Sequence, residues 1–130
     1  MKITLPKISG REKDVLAVLW RTGTSLTASG ITENGDGLNI NTVQSALRSL
    51  MKKGFIEVAE IVYSGTVLSR SYKPIVSAEQ YAADQLRAMR TNTLNFSTLS
   101  FVEHLVQDSD SSILDELEKV IRQKKEQEDK

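Results

Sequence analysis

The hydrophobic pattern of the chain changes at Gly54, and this change constrains the fold more than any other feature. Before Gly54, apolar residues recur every three or four positions, which is typical of amphipathic helices. After it, residues 55–63 are rich in β-branched and aromatic side chains and predict a β-strand. A turn at Ser64 and Gly65 and a returning strand within residues 66–75 complete a predicted hairpin.

Polar residues at helix starts divide the chain before Gly54 into three predicted helices. Ser9 is followed three positions later by Glu12, which is the spacing of a capping box. A second helix begins at Thr27, and a third follows Asn39 or Asn41. Three helices and a hairpin in this order predict a winged helix-turn-helix DNA-binding domain over residues 1–76.

Three more amphipathic helices are predicted after the hairpin, beginning at Ser77, near Phe96, and at Ser111 or Ser112. The predicted fold class is therefore mainly α with a small β-hairpin. Residues 77–130 are too few to build a core alone, so we expect a helical dimerisation domain that pairs with a second copy of the chain. The apolar residues expected at this contact are Tyr81, Leu86, Met89, Leu99, Val102, Leu105, Ile113, Leu117, Val120 and Ile121.

The third helix offers a polar face that suits DNA. Val43, Leu47 and Leu50 are expected to point into the core, which leaves a donor-rich surface without carboxylates. In the major groove glutamine suits adenine and arginine suits guanine, whereas hydroxyls, amides and lysines suit phosphates. The candidate DNA-binding residues are Thr27, Asn41, Thr42, Gln44, Ser45, Arg48, Lys52 and Arg70 of the hairpin. Ser49 is placed on the same face, and Lys53 is expected to add a backbone contact. An ordinary solvated helix face shows the same pattern.

Charge is divided unequally along the chain although the formal total is zero. Ten basic and six acidic residues occur up to Lys73, whereas seven basic and eleven acidic residues occur from Pro74 onward. A basic first part favours a polyanionic partner such as DNA, although a split of this size also arises by chance.

Composition excludes several classes of function. The chain has no cysteine, which excludes thiolate metal sites and cysteine nucleophiles. His104 is the only histidine, so one chain cannot build a histidine-based triad or a multi-histidine metal site. We therefore expect no catalytic residues, no metal site, no cofactor and no enzymatic activity. No apolar run approaches the roughly 18 residues that span a bilayer, so we expect a soluble cytoplasmic protein without membrane insertion.

Four segments carry a further pattern: residues 5–9 followed by 15–20, residues 27–31, residues 41–54, and residues 69–77 with Glu79 and Tyr81. In this order they resemble the penicillinase-repressor family of winged-helix regulators. The resemblance implies a homodimeric bacterial repressor on a palindromic operator in double-stranded DNA, with C-terminal helices exchanged between protomers. For penicillinase repressors it further implies inactivation by cleavage, triggered by a membrane sensor-protease.

The chain departs from that family at three places. The family's Asn-Phe cleavage point aligns near His104 and Leu105, and the pair Asn95 and Phe96 lies about two helical turns earlier. The cysteine pairs of the copper-responsive relatives are missing, and residues 55–68 exceed the usual length of the hairpin. The operator sequence, the inducing signal and the use of proteolysis therefore stay open.

Two alternatives to a repressor also stay open. The first is a winged-helix protein–protein interaction module without sequence-specific DNA binding. Its third helix should carry large apolar or aromatic anchors on the exposed face, and Gln44, Ser45 and Arg48 are none of these. The second is a ligand-sensing regulator with a pocket between the two halves of the chain, which the sequence neither supports nor excludes.

Overall fold

The computed structural model describes residues 5–92 and 96–129, and these residues form six helices and three strands. In chain order the elements are α1 (Gly10–Thr22), β1 (Leu26–Thr27), α2 (Ala28–Asn34), α3 (Ile40–Lys53), β2 (Ile56–Ser64), β3 (Val67–Pro74), α4 (Ala78–Asn92), α5 (Thr98–Gln107) and α6 (Ser111–Glu128). The strands form one antiparallel sheet in the order β1-β3-β2. The predicted fold class, mainly α with a winged helix-turn-helix, is confirmed.

Side-chain caps fix where the first three helices begin. At α1 the Ser9 hydroxyl accepts from the Glu12 backbone N–H while the Glu12 carboxylate accepts from the Ser9 N–H, so the predicted capping box is confirmed. Thr27 caps α2 by accepting from the Gly30 N–H. Of the two predicted caps of α3, the structure has Asn39, whereas Asn41 lies inside the helix.

The end of α3 is fixed by the backbone of Gly54. This residue has a φ of 82°, in the left-handed region that favours glycine, and its N–H bonds back to carbonyls of the last turn. The chain then turns into Phe55, which is fully buried, and enters β2. The change of hydrophobic pattern at Gly54 therefore marks the junction between α3 and the hairpin β2–β3, which we call the wing.

The described residues divide into two compact units, one ending at Leu86 and one beginning at Arg87. The first unit has a core made by the inner faces of α1, α2 and α3 with the start of β2. Its fully buried large side chains are Val15, Leu16, Leu19, Ile31, Val43, Leu50 and Phe55. The predicted inward face of the third helix is thus confirmed, because Val43, Leu47 and Leu50 are all buried.

The first turns of α4 belong to the core of the first unit. The Tyr81 ring lies 5.7 Å from the Trp20 ring and 6.4 Å from the Phe55 ring, centroid to centroid. The Trp20 indole N–H donates to the Val76 carbonyl oxygen at 2.9 Å, so the indole is both packed and satisfied. The compact unit consequently continues to Leu86, past residue 76, where the sequence places the boundary between the DNA-binding and dimerisation domains. That functional division stays a prediction.

The second unit contains the end of α4 together with α5 and α6. Ser97 caps α5, and Asp110 caps α6 by accepting from the Ile113 N–H, so the last helix begins at Ser111, one of its two predicted starts. Neither α5 nor α6 has a buried residue. Within the two described ranges, every helix is too short or too polar to cross a membrane.

Candidate nucleic-acid interface

An open cleft of about 490 Å³ lies where the start of α2, the exposed side of α3 and strand β3 of the wing meet. Its walls are Thr27, Ala28, Ser29, Ile40, Gln44, Leu47, Arg48, Ser69, Arg70 and Tyr72. Four of the predicted DNA-binding residues, Thr27, Gln44, Arg48 and Arg70, therefore share one site although 43 positions separate the first from the last. None of the lining residues is acidic, so the two guanidinium groups give this α3–wing cleft a positive charge.

Strand β1 is the element that brings these residues together. Leu26 and Thr27 pair with Tyr72 and Ser71 of β3, and α2 begins directly after Thr27. The N-terminus of α2 is thereby held against the wing, with α3 beside it. Because β1 has only two residues, no sequence periodicity reveals it, and the cleft residues Ser69 and Tyr72 were not predicted.

The exposed face of α3 agrees with the sequence prediction at five of its positions. Asn41, Gln44, Ser45, Arg48 and Lys52 are all exposed, and their spacing of three, one, three and four residues places them along one side of the helix. Within the described part of the chain, neither Arg48 nor Lys52 makes an ion pair with a carboxylate. These side chains are free to meet base edges and phosphates.

Helix capping uses part of the hydrogen-bonding capacity of Thr27, which caps α2, and of Thr42, which lies in the first turn of α3. The Thr42 N–H already donates to the Asn39 side chain at 2.9 Å, so the hydroxyl is the group of Thr42 that remains for DNA. The Thr27 hydroxyl oxygen accepts from the Gly30 N–H at 3.1 Å, which leaves its O–H as a donor toward the cleft.

Two residues that the sequence placed on the DNA-facing side of α3 are engaged elsewhere. The Ser49 hydroxyl donates to a Glu12 carboxylate oxygen at 2.9 Å. The Lys53 ammonium donates to both oxygens of the same carboxylate at 3.0 Å and to the Lys7 carbonyl oxygen at 2.8 Å. These side chains fasten the C-terminal half of α3 to the start of α1, and their contact with DNA stays a prediction. We call Ser9, Glu12, Ser49 and Lys53 the Glu12 network.

The Glu12 network holds a nearly buried charge. Glu12 is only 7% exposed, and its burial by itself raises the pKa of the carboxyl group. The hydrogen bonds from the Ser9 N–H, from Lys53 and Ser49, and from the Ser9 hydroxyl outweigh burial and lower the pKa from 4.5 to about 2. The carboxylate is therefore ionised throughout the physiological range, and it holds the Lys53 ammonium beside the start of α1.

The predicted dimerisation residues fall into two groups. Tyr81 packs in the core of the first unit, and Leu86 and Leu117 are half-buried. The others are exposed in the single chain: Met89 of α4, Leu99, Val102 and Leu105 of α5, and Ile113, Val120 and Ile121 of α6. The exposed group has the unpartnered apolar character that an interface between protomers requires.

The described residues were also searched for a cluster that could hold a metal ion. Among the described residues, no three histidine, cysteine or acidic side chains lie close enough to hold a metal ion. His104 is exposed on α5, between Glu103 and Leu105. The chemistry that the described site offers is hydrogen bonding and positive charge.

The chain was compared with solved structures and with curated proteins. Among solved structures, the chain is similar to a variant of ZitR from Lactococcus lactis, with 15% identity and a TM-score of 0.44 over 93% of this chain and 75% of that one. It is also similar to the adhesin competence repressor (AdcR) from Streptococcus pyogenes, with 14% identity and a TM-score of 0.42 over 93% of this chain and 80% of that one. No curated protein matches the chain.

A family model settles the class of protein. The model described as "Penicillinase repressor" matches residues 8–123, which include the whole α3–wing cleft and both C-terminal helices almost to the end of α6. The resemblance inferred from the sequence is thus confirmed, and proteins of this family are transcriptional repressors and not enzymes. The chain belongs to the penicillinase repressor family and is a DNA-binding winged-helix transcriptional repressor.

Proposed function

We propose that the protein represses transcription as a homodimer bound to a palindromic operator, with α3 in the major groove of each half-site. The observation that carries this proposal is the α3–wing cleft, in which Gln44 and Arg48 of α3 lie beside Arg70 of β3 on a surface without carboxylates. A helix flanked by a wing in this way presents side chains to base edges and cations to the adjacent backbone.

Base recognition is assigned to the exposed middle of α3. Gln44 and Arg48 lie one helical turn apart, so they face successive base pairs along the groove. Arginine donates two parallel hydrogen bonds to guanine, and glutamine forms a matching pair with adenine. Ser45 lies between them in the sequence, and its hydroxyl group can donate or accept a hydrogen bond from a shorter side chain.

Phosphate contacts are assigned to residues at the edge of this face. Lys52 lies one turn beyond Arg48, Asn41 lies near the start of α3, and Arg70 extends from the wing. The Thr27 hydroxyl adds a donor at the start of α2. Contacts of this type set the orientation of the protein on DNA and weaken as salt rises.

Dimerisation is assigned to the exposed apolar residues of α5 and α6. Leu99, Leu105, Val120 and Ile121 are each more than half exposed in the single chain. An isologous contact between two copies covers the same surface twice, and it makes a twofold protein that matches a twofold operator. His104 and Leu105, which the sequence resemblance aligns with the family's cleavage pair, lie inside α5.

A pair of arginine variants tests the base-reading role of α3. Arg48→Ala should weaken binding to the preferred operator by roughly 10- to 100-fold and relax the preference at one base pair of each half-site. Arg11→Ala is the matched control, since Arg11 lies on α1 outside the cleft, pairs with Asp14 and carries the same charge. Fluorescence anisotropy on operator duplexes with single-base changes measures both effects. An equal loss on every DNA sequence would show that Arg48 touches only phosphate.

A further inference from the structure

The outer part of the wing has an unusual surface for a DNA-binding element. Residues 61–69 contain no charged side chain, and several large apolar residues in this segment are exposed to solvent. Ile61 is 65% exposed, Tyr63 74%, Val67 64% and Leu68 60%. We call this segment the wing tip. A hairpin end that only approached phosphates would benefit from lysine or arginine, and the wing tip has neither.

The register of the wing divides these residues between two faces. Tyr63 pairs directly with Leu68, and Ile61 pairs directly with Arg70. Residues opposite each other in an antiparallel pair share a face, and so do residues two apart on one strand. Ile61, Tyr63, Leu68 and Arg70 therefore lie on one face of the hairpin, and Val67 lies on the other.

The apolar face of the wing tip continues the proposed DNA interface. Arg70 and Tyr72, two residues apart on this face, both line the α3–wing cleft with Arg48 and Gln44, and of the opposite face Ser69 lines it. The face of Arg70 therefore adjoins the exposed side of α3. Leu68 lies two residues farther out along β3, which at the rise of a strand is about 7 Å. A guanidinium of Arg70 set on the sugar–phosphate backbone would bring the Tyr63–Leu68 pair to about the depth of the adjoining minor groove, roughly 7.5 Å.

Resting on the repressor function proposed above, we infer that Tyr63 and Leu68 form an apolar wedge that enters the minor groove beside each half-site and reads the deformability of the DNA. The floor and walls of that groove are sugars and base edges, whose apolar surface suits uncharged side chains. The groove is only about 6 Å wide, so a two-stranded hairpin must widen it. Apolar side chains inserted in this way unstack a base step and kink the duplex toward the major groove.

This role assigns a sequence preference to base pairs that α3 does not touch. Pyrimidine–purine steps such as TA kink at the lowest cost, so they are expected at the wing positions of the operator. The preference arises from bending energy, and a change of step should alter affinity without removing a hydrogen bond.

The test compares the double variant Tyr63→Ala/Leu68→Ala with wild-type protein on one operator duplex carrying a fluorophore at each end. Energy transfer between the fluorophores reports bending, and anisotropy at several salt concentrations reports affinity and its salt slope. We expect the variant to bend the duplex less and to bind roughly 10-fold more weakly, because apolar contact area is lost. The salt slope should stay unchanged, because no phosphate contact is removed, whereas Arg70→Ala should lower the slope by about one.

Val67→Ala is the matched control, since Val67 is equally exposed but lies on the opposite face of the wing. It should leave bending and affinity unchanged. All these positions are exposed, so the variants keep the folded core, which circular dichroism verifies. Replacing the TA step by a GC-rich step should weaken wild-type binding more than binding of the double variant.

Three results would overturn the inference. The first is wild-type bending and affinity in the double variant. The second is an effect of equal size from Val67→Ala. The third is normal binding to one operator combined with lost cooperativity on two adjacent operators, which would make the wing tip a contact between neighbouring proteins. Wild-type protein that selects no DNA sequence would instead refute the proposed function, and this is seen before any variant is made.

Discussion

Replacing Glu12 by glutamine removes one negative charge from the Glu12 network and changes the size of the side chain very little. The ionised carboxylate receives hydrogen bonds from the Ser9 N–H, the Ser49 hydroxyl and the Lys53 ammonium at 2.9–3.0 Å. Glutamine keeps one acceptor oxygen but leaves the half-buried Lys53 charge without its partner. We therefore expect a less stable protein in which the C-terminal half of α3 is less firmly held.

The pKa of Glu12 sets the size of this effect. A decrease from 4.5 to about 2 corresponds to about 3 kcal/mol of stability at neutral pH if it is fully realised. The Lys53 side chain is 29% exposed, so solvent screens the ion pair and the expected loss in Glu12→Gln is about 1–2 kcal/mol. Urea denaturation at pH 7, followed by tryptophan fluorescence, measures it. The fluorophore is Trp20, the only tryptophan, whose environment is the core of the same unit.

The contribution of Glu12 to the free energy of unfolding should depend on pH in a definite direction. Because folding lowers the pKa of Glu12, its contribution is complete above about pH 4.5 and is lost as the pH falls toward 2. The difference in unfolding free energy between wild type and Glu12→Gln should therefore shrink from pH 7 to pH 3. Asp14→Asn is the matched control, since its exposed pair with Arg11 at 3.5 Å should contribute less than about 0.5 kcal/mol. A Glu12→Gln effect as small as that of the control, or one that grows in acid, refutes the reasoning.

Two further predictions concern dimerisation and the end of α3. Leu117→Asp places a charge on the apolar stripe of α6 and should give monomers in sedimentation velocity, with weak operator affinity. Gln123→Asp, on the polar side of the same helix, should leave the dimer intact. A dimeric Leu117→Asp protein would contradict the assignment of the interface. Gly54→Ala should destabilise the first unit by about 1–2 kcal/mol in urea denaturation, because alanine at a φ of 82° is strained. Gly54→Asn should cost less, since asparagine tolerates this conformation, and equal losses in both variants would argue against backbone strain.

Local patterns were sufficient to predict most of the helices. The capping box at Ser9 and Glu12 and the stop at Gly54 depend on residues within one turn of each other, so the sequence displays them directly. The choice between Asn39 and Asn41 was not decided locally, because either amide can cap. In the structure the Asn39 side chain takes this role by accepting from the Thr42 N–H.

Contacts between distant segments could not be predicted. Ser49 and Lys53 lie at the border of the apolar face of α3, where the helical pattern alone does not say whether a side chain faces solvent or a neighbouring helix. Their partner Glu12 is 37 and 41 positions away, and only the packing of α1 on α3 brings the three together. The same limit applies to Tyr81, whose helical stripe predicts a contact but does not say that Trp20 provides it.

Only part of the candidate site could be predicted from the sequence, because some of its residues are brought together by contacts between distant segments. Arg48 and Gln44 follow from the helical pattern of α3, and Arg70 follows from its place in the hairpin. The cleft that joins them depends on the pairing of Thr27 with Ser71, a contact across 44 positions that no local motif records. The apolar wing tip is visible in the sequence as an uncharged run, but only the register shows that Tyr63 and Leu68 share the face of Arg70.

The most direct test of the central claim is selection of duplexes from a randomised DNA pool by the purified protein, followed by sequencing and a salt titration on the preferred duplex. A dimeric repressor that reads DNA through α3 should enrich a twofold-symmetric consensus with half-sites about one helical turn apart, and its affinity should fall steeply with salt. A pool that stays unenriched, with only weak salt-sensitive binding, would contradict sequence-specific operator recognition and favour a protein partner for the exposed face of α3.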